Sequence, residues 1–457
     1  MAGRIDFEYQ FNNNSGQKAE DSVPMSVYFL DDFSGQESAK ANQTTHSIVR
    51  IDIDSFDDAM IRLKPTIALS SGHQLTFNEL EDFHPDNLYE TDVFKNLRRL
   101  KKELASPSTA DSAAQEIITS FQLDNSNTGE EASTIEDSDA TVERLLGKKP
   151  SATATSSTHS ASKLDVYLAD IIGAHIIKDA NPEHQSLKLF IDNAIEEIMN
   201  AILHSSEFQT LEASWRSVRD VVFNEHYDDH HQFFYLVNTS ELALQSAVDG
   251  NTEMVTKLTQ HINNVDTEHF NVLIGSYCFS AANDDIAKLN YLASFAETQG
   301  CQLVCAAADD LVHSTEASLW HDFRKMPQAA HVALTYPRVL LRNPYGKKHD
   351  EVDAFAFEEF RETHQHEELL WGNSAYACAR LLVRQYHGQV KYDGSISELP
   401  AFVFEQEDQQ VLHPCGEFLL SEQQLMAIRA QGIVPFVSFR NKNAIRLFGD
   451  EVTAVNV

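Results

Sequence analysis

Histidines and acids crowd together at two places where metal or acid–base chemistry suggests itself. In NEHYDDHH, His226, His230 and His231 lie with Asp228 and Asp229. Adjacent His230 and His231 face opposite ways on a strand, and His226 and His230 share a face only on a helix, so one ion is not easily shared. A solvated turn leading into the strand QFFYLV is the favoured reading. In ETHQHEELLW, His364 and His366 precede Glu367 and Glu368. An H-x-H pair on a strand can bind zinc, but no third ligand is evident. EELLWGN reads as helical, and the segment lacks the i, i+4 histidines of H-E-x-x-H. Surface or inter-subunit contacts fit it better. IDIDSFDD suggests calcium, yet it lacks the Gly and Glu that a calcium loop needs at its sixth and twelfth positions. Asp52 and Asp54 alternate with Ile51 and Ile53, so exposed strand acids followed by a Ser55 N-cap account for it.

The five cysteines, Cys278, Cys301, Cys305, Cys378 and Cys415, are odd in number and sit mostly in apolar runs. They read as buried free thiols in a reducing cytosol. Cys301 and Cys305 are four apart, but no second pair completes a zinc site. No G-x-S-x-G, Walker A or G-x-G-x-x-G sequence occurs. No catalytic, cofactor-binding or metal residue is therefore assigned, no cofactor is expected, and an NTP-driven motor is set aside. Arg338 and Arg342 are four apart and bracketed by Pro337 and Pro344. Two readings stay open: an arginine paired with a core acid, or a basic contact that meets an acidic neighbouring protomer. On the second reading Arg338 and Arg342 are the candidate inter-subunit contacts. Trp215, Trp320 and Trp371 read as core anchors on apolar helical stripes.

The elements that must position these groups fall into three regions. At 457 residues the length suggests about two to four domains. A net charge of −34 argues against nucleic acid and anionic membranes, and the 42% hydrophobic content suffices for large cores. No signal-peptide core and no run of ~18 apolar residues occurs, so nothing is expected to enter a membrane. Residues 1–122 read as a small α/β unit: VPMSVYFLDDF and SIVRIDID as strands, Ser55–Leu63 as a short helix, HQLTF as a strand, and Val93–Leu104 as a helix. Residues 123–162 are acidic, then Ser/Thr/Ala-rich, without apolar period, and read as a flexible linker.

Residues 163–457 read as a larger α/β body. Helices are expected over LDVYLADIIGAHII and Ser186–Leu203, and Ser206 with Gln209 matches a capping box for the next helix. Buried strands QFFYLV, HFNVLIGSYCF and CQLVCAAA then alternate with helices, one closed by Gly300. A strand, a crossover helix and another buried strand predict a parallel sheet with flanking helices.

Several segments resemble the large sheath subunit of the type VI secretion system: EFQTLEASWRSV, NVLIGSYCF, WHDFRKMPQAAHVALTYPRVLLRNPYG, FAFEEF, LLWGNSAYACARLL and ELPAF. The N-terminal words PMSVYFLDDFSG, VRIDIDSFDDAMIRLKP, LTFNELEDFHPDNL and FKNLRRLKKEL resemble the small subunit of the same sheath. The resemblance implies a fused, contractile structural protein in the cytoplasm and no enzyme. Its implied partners are other sheath-type protomers, an inner-tube protein and baseplate proteins. LDVYLADIIG resembles a helix that a recycling AAA+ unfoldase recognises. Family large subunits continue past the position matching Phe448-Gly449, so the body is expected to lack the usual C-terminal extension. Two alternatives follow: a sheath-like cap, terminator or regulator that does not polymerise, and, remotely, a metal-dependent enzyme.

Overall fold

The computed structural model describes residues 23–35, 47–69, 72–120, 184–225, 227–265, 269–313, 318–360, 366–386, 394–406, 409–440, 442–449, 452 and 454–455. The segment expected as a linker and the helix expected over LDVYLADIIGAHII lie outside the described residues. The N-terminal third supplies β1 (Met25–Asp31), β2 (Ile48–Ile51), α1 (Phe56–Leu63), β3 (Thr66–Ala68), β4 (Gln74–Thr76), α2 (Pro85–Glu90), α3 (Lys95–Ala105) and α4 (Ala110–Ser120). Next come α5 (His184–Leu203), α6 (Ser206–Asn224), β5 (Gln232–Asn238), α7 (Glu241–Val248), α8 (Glu253–Val265), β6 (Phe270–Phe279), α9 (Asn283–Gln299) and β7 (Gln302–Ala307). Then follow α10 (Asp309–His313), α11 (Ser318–Phe323), β8 (Val332–Tyr336), β9 (Val339–Leu340), β10 (Trp371–Gly372) and α12 (Ser374–Tyr386). The rest is β11 (Ser395–Ser397), β12 (Val403–Gln406), β13 (Gln409–Leu412), α13 (Glu422–Ala430), β14 (Ile433–Ser438) and β15 (Ala444–Leu447).

The chain divides into two compact units. The first gathers Met1–Pro65, Thr210–Asn343 and Leu369–Val457. It holds a nine-stranded sheet in the order β11-β15-β14-β8-β7-β6-β1-β5-β2. From β14 to β5 neighbouring strands run parallel, and β2, β15 and β11 are antiparallel to their neighbours. This is the α/β architecture expected.

β1 and β2 do not build a sheet of their own. β1 lies between β5 and β6, with Tyr28 opposite Tyr235 on one side and Leu273 on the other. The physical reason is legible in MSVYFLD, whose seven residues are all buried. A strand apolar on both faces needs neighbours at both edges and helices above and below. On one face Tyr28, Leu30, Leu273 and Leu303 join a core with Leu244, Leu258, Leu289 and Leu292 of the helices α7, α8 and α9. On the other, Phe29 stacks on Phe234 at 6.2 Å and on Tyr376 at 5.6 Å, and α12 packs on β6, β7 and β8. Gly300 closes α9 at φ +66°, a left-handed C-cap that glycine adopts without Cβ strain.

Trp215 of α6 is fully buried in this unit, donates from Nε1 to the Phe33 carbonyl at 3.0 Å, and meets Phe33 and Phe56 edge-on. Trp320 is likewise buried and donates to the Gln431 carbonyl at 3.1 Å. Trp371 is buried as well, but it stands on the two-residue strand β10 and not on a helix. The run EELLWGN is a short 3₁₀ turn at His366–Glu368 followed by that strand. Paired backbone between Leu340 and Trp371 overrides its helical composition.

The second unit gathers Thr66–Gln209 and Pro344–Glu368. Its helices α3, α4 and α5 pack together, with Leu97, Leu100 and Leu104 of α3 buried at helical spacing. Phe77 and Phe83 stack at 4.0 Å, and Phe208 meets both edge-on. The stretch after Pro344 has little regular structure and is held by side chains. Asp86 accepts the Asp353 and Ala354 N–H groups, Phe355 packs on Tyr89, and buried Glu359 accepts the Tyr345 N–H at 2.8 Å and contacts His204 at 3.2 Å. The predicted capping box is used differently: Ser206 turns its hydroxyl to Glu207, and Gln209 donates to the Glu367 and Glu368 carbonyls.

Candidate functional site

Arg338 and Arg342 flank β9 in the sheet-bearing unit and meet different fates. Arg342 is enclosed, and its Nε donates to Glu212 Oε1 at 3.1 Å. Glu212 sits on α6, fully buried, and also accepts from Arg216 Nε at 2.6 Å. Of the two arrangements considered for these arginines, Arg342 adopts the pair with a core acid. Arg338 keeps 37% of its side chain exposed. It grips Glu417 with both arms of its fork, Nε to Oε2 at 3.0 Å and Nη2 to Oε1 at 2.6 Å. Its guanidinium lies 5.9 Å from the Trp371 ring centroid, and its carbonyl accepts the Glu417 N–H. A bidentate fork of this kind fixes orientation as well as charge.

The groups in NEHYDDHH and IDIDSFDD resolve into local structure. Asp228 accepts the His230 N–H and contacts His231 Nδ1 at 2.8 Å, so NEHYDDHH is a turn feeding β5. Those same contacts hold the Asp228 carboxyl below its usual range, the His231 hydrogen bond foremost. His226 and His364 lie outside the described residues. Ser55 does not cap α1 through its side chain; Asp52 and Ser55 bond each other reciprocally, with Ser55 Oγ to Asp52 Oδ1 at 2.6 Å. All five cysteines are free. Four are buried, and burial pushes the Cys301 and Cys378 thiols up to about 12 and Cys415 up to about 11. Cys278 departs from the expectation and is exposed; it sits beside the bulge where β6 shifts register against β7.

A site that the motifs did not reveal lies at the carboxyl ends of the central parallel strands. Parallel sheets gather polar groups there, where the strand order reverses. β1 ends in Asp31, in register with Asn238 at the end of β5. Asp31 accepts the Asp32 N–H at 2.8 Å and the Tyr376 hydroxyl at 3.3 Å. Burial raises its carboxyl to about 6, against the hydroxyls of Ser214 and Ser276, which favour the ionised form. The first turn of α12 fills the neighbouring space. Ser374 bonds Thr335 at 2.9 Å, and Asn373 donates to the Ser276 and Tyr277 carbonyls. The available signal was an acid directly after an unbroken apolar strand, FLDD.

The sheet ends in short strands, β2 with four residues and β11 with three. Short edge strands limit unplanned pairing and leave room for a chosen partner strand. Among the described residues no helix is long and apolar enough to cross a membrane.

These features define an α/β protein built on a wide, mostly parallel sheet. The chain belongs to the family described as VipB: EvpB/VC_A0108, tail sheath N-terminal domain, which it matches over residues 185–318 and 309–454, more than half its length. Residues 1–123 match a second family, described as Type VI secretion system, VipA, VC_A0107 or Hcp2. A relative, the type VI secretion system sheath protein TssC1 of Pseudomonas aeruginosa, is 26% identical over 309 residues. That alignment covers 60% of this chain and 62% of the relative, so the chain spans about three-fifths of that protein's length.

Proposed function

We propose that this chain is a sheath-type protomer of a cytoplasmic contractile type VI apparatus, with small-subunit-like and large-subunit-like parts in one polypeptide. One observation carries this reading. β1 comes from the region matched to the VipA family, and it is hydrogen-bonded on both sides to β5 and β6, from the region matched to the VipB family. That β1 sits between two strands of the other matched region supports reading the two parts as one fused protomer. Such bodies stack into a tube through heterologous, non-closing contacts. Contraction is a rigid-body rearrangement of those contacts that drives out an inner tube. The short edges β2 and β11 are where strands of neighbours would add. The candidate inter-subunit contacts are Arg338 and Arg342; Arg342 is enclosed, which leaves the exposed face of Arg338 for an acidic neighbour. Inner-tube and baseplate proteins are the further partners, and an AAA+ unfoldase would recycle the contracted form.

Electron microscopy of the purified full chain, alone and mixed with standard sheath subunits, tests the proposal. Tubes or ring-like stacks are expected. Only small discrete particles under both conditions would overturn it. Particles of fixed stoichiometry bound at tube ends would assign the cap or regulator role instead.

A further inference from the structure

The two edges of the nine-stranded sheet are finished differently. Opposed residues of an antiparallel pair alternate between exchanging backbone bonds and turning those groups away. At β2 the Asn238 N–H donates to the Ser47 carbonyl, and the register continues with Ile48 opposite Val237 and Arg50 opposite Tyr235. Ile48 and Arg50 therefore turn their N–H and C=O groups outward, away from β5. Nothing bonds those groups among the described residues. At β11 the Leu447 N–H donates to the Gly394 carbonyl, which makes Ser395 and Ser397 the outward pair. That edge is covered, because Arg384 of α12 donates from Nη1 to the Ser395 carbonyl at 2.7 Å. Its Nε and Nη2 hold the two oxygens of buried Glu225 at 2.8 and 2.6 Å, so the fork is fixed in place. One residue past Ser397, Glu398 takes φ +61° and bends the backbone off the strand path.

We propose that β2 is the edge where an extended strand of a second copy adds, and that Arg384 shuts the β11 edge to the same event. The inference rests on the proposed self-assembly and chooses between the two edges. Ile48 and Arg50 offer donors and acceptors at the two-residue spacing that a partner strand presents. Charge selects the occupant. Arg50 is exposed on β2, its guanidinium 4.9 Å from the Phe233 ring centroid. The chain carries −34 overall, so a second copy brings acids in excess, and an acid opposite Arg50 gains a cross-strand ion pair. β11 offers no such opening while Arg384 stands on Ser395, the way a covered edge avoids unplanned pairing.

Hydrogen exchange of the full chain, dispersed and assembled, reads both edges. The Ile48 and Arg50 amides are expected to exchange about tenfold more slowly once assembled, and the Ser397 amide to stay unchanged. Arg50→Pro removes one outward N–H without touching the bonds between β2 and β5. It is expected to abolish assembly with a urea midpoint close to the parent's. Ser397→Pro, its counterpart on β11, assembles like the parent. Arg384→Lys keeps a cation for Glu225 but loses the fork that reaches Ser395. Added to Arg50→Pro, it is expected to bring association back, with protection now at Ser397. Assemblies whose Ile48 and Arg50 amides exchange as in the dispersed chain overturn the β2 assignment alone, and that readout stands even where Arg50→Pro fails to fold. No assembly by the parent overturns the self-assembly reading and this inference with it. A chain with both Arg50→Pro and Arg384→Lys that stays dispersed overturns the role of Arg384.

Discussion

Arg342 reaches Glu212 at 3.1 Å inside the sheet-bearing unit, with 7% and 0% of the two side chains exposed. Arg342 follows β9, Glu212 lies on α6, and the pair joins them through the interior. Removing one partner leaves the other charged and enclosed. Glu212→Gln is expected to cost about 3–5 kcal/mol of unfolding free energy, read from urea denaturation. Combining Arg342→Met with Glu212→Leu should recover much of that loss. A double variant as weak as the single one would mean the pair is not the source of the effect.

Trp215 has both a ring to bury and an N–H to satisfy. Trp215→Phe keeps most apolar contact and orphans the Phe33 carbonyl, which predicts a loss of about 1–3 kcal/mol. Trp215→Ala also opens a cavity between Phe33 and Phe56, and about 3–5 kcal/mol is expected. Guanidinium melts of the two variants should rank in that order.

Gly275 sits on β6 where an added Cβ would lie 2.7 Å from Cys305 Sγ and 3.0 Å from a Tyr277 ring carbon. Gly275→Ala should therefore destabilise by about 1–3 kcal/mol through overpacking. Cys305→Ala in the same chain removes the sulfur and is expected to restore part of the loss. The coupling, measured as a double-mutant cycle, should be favourable; strict additivity would contradict the close approach.

Arg338 neutralises Glu417, which is only 7% exposed. Arg338→Ala is expected to lower stability by about 1–2 kcal/mol, less than at Arg342 because solvent reaches the arginine. Arg338→Lys retains charge but loses the two-armed grip. If the exposed face also meets an acidic neighbour, Arg338→Ala reduces sedimenting assemblies by more than the melting shift accounts for. Equal assembly by parent and variant would confine Arg338 to its pairing with Glu417.

Much of the fold could be read from residue pattern. QFFYLV, HFNVLIGSYCF and CQLVCAAA became β5, β6 and β7, and the helix ending at Gly300 carries the left-handed cap expected of glycine. Apolar period and turn chemistry act over a few residues, so they survive without tertiary knowledge. Trp371 escaped that reading. Its strand is two residues long and exists only because Leu340, remote in sequence, pairs with it. The Ser206–Gln209 capping box failed for a related reason: the carbonyls of Glu367 and Glu368 take the Gln209 amide. Asp31 was visible as an acid, but its burial was not, because the cover comes from α6 and α12, far along the chain.

The sequence by itself determined the family, the parallel α/β class and the buried tryptophans, because words of residues and local periodicity carry those directly. Tertiary structure decided three things. It placed β1 between β5 and β6, so that the two family-matched regions share one sheet. It resolved two arginines four positions apart into an enclosed pair and a half-exposed fork. Among the described residues it left Asp31 without an ion-pair partner at the end of the central strand. Each depends on which distant groups reach a given atom, and long-range packing, not local sequence, sets burial and charge pairing.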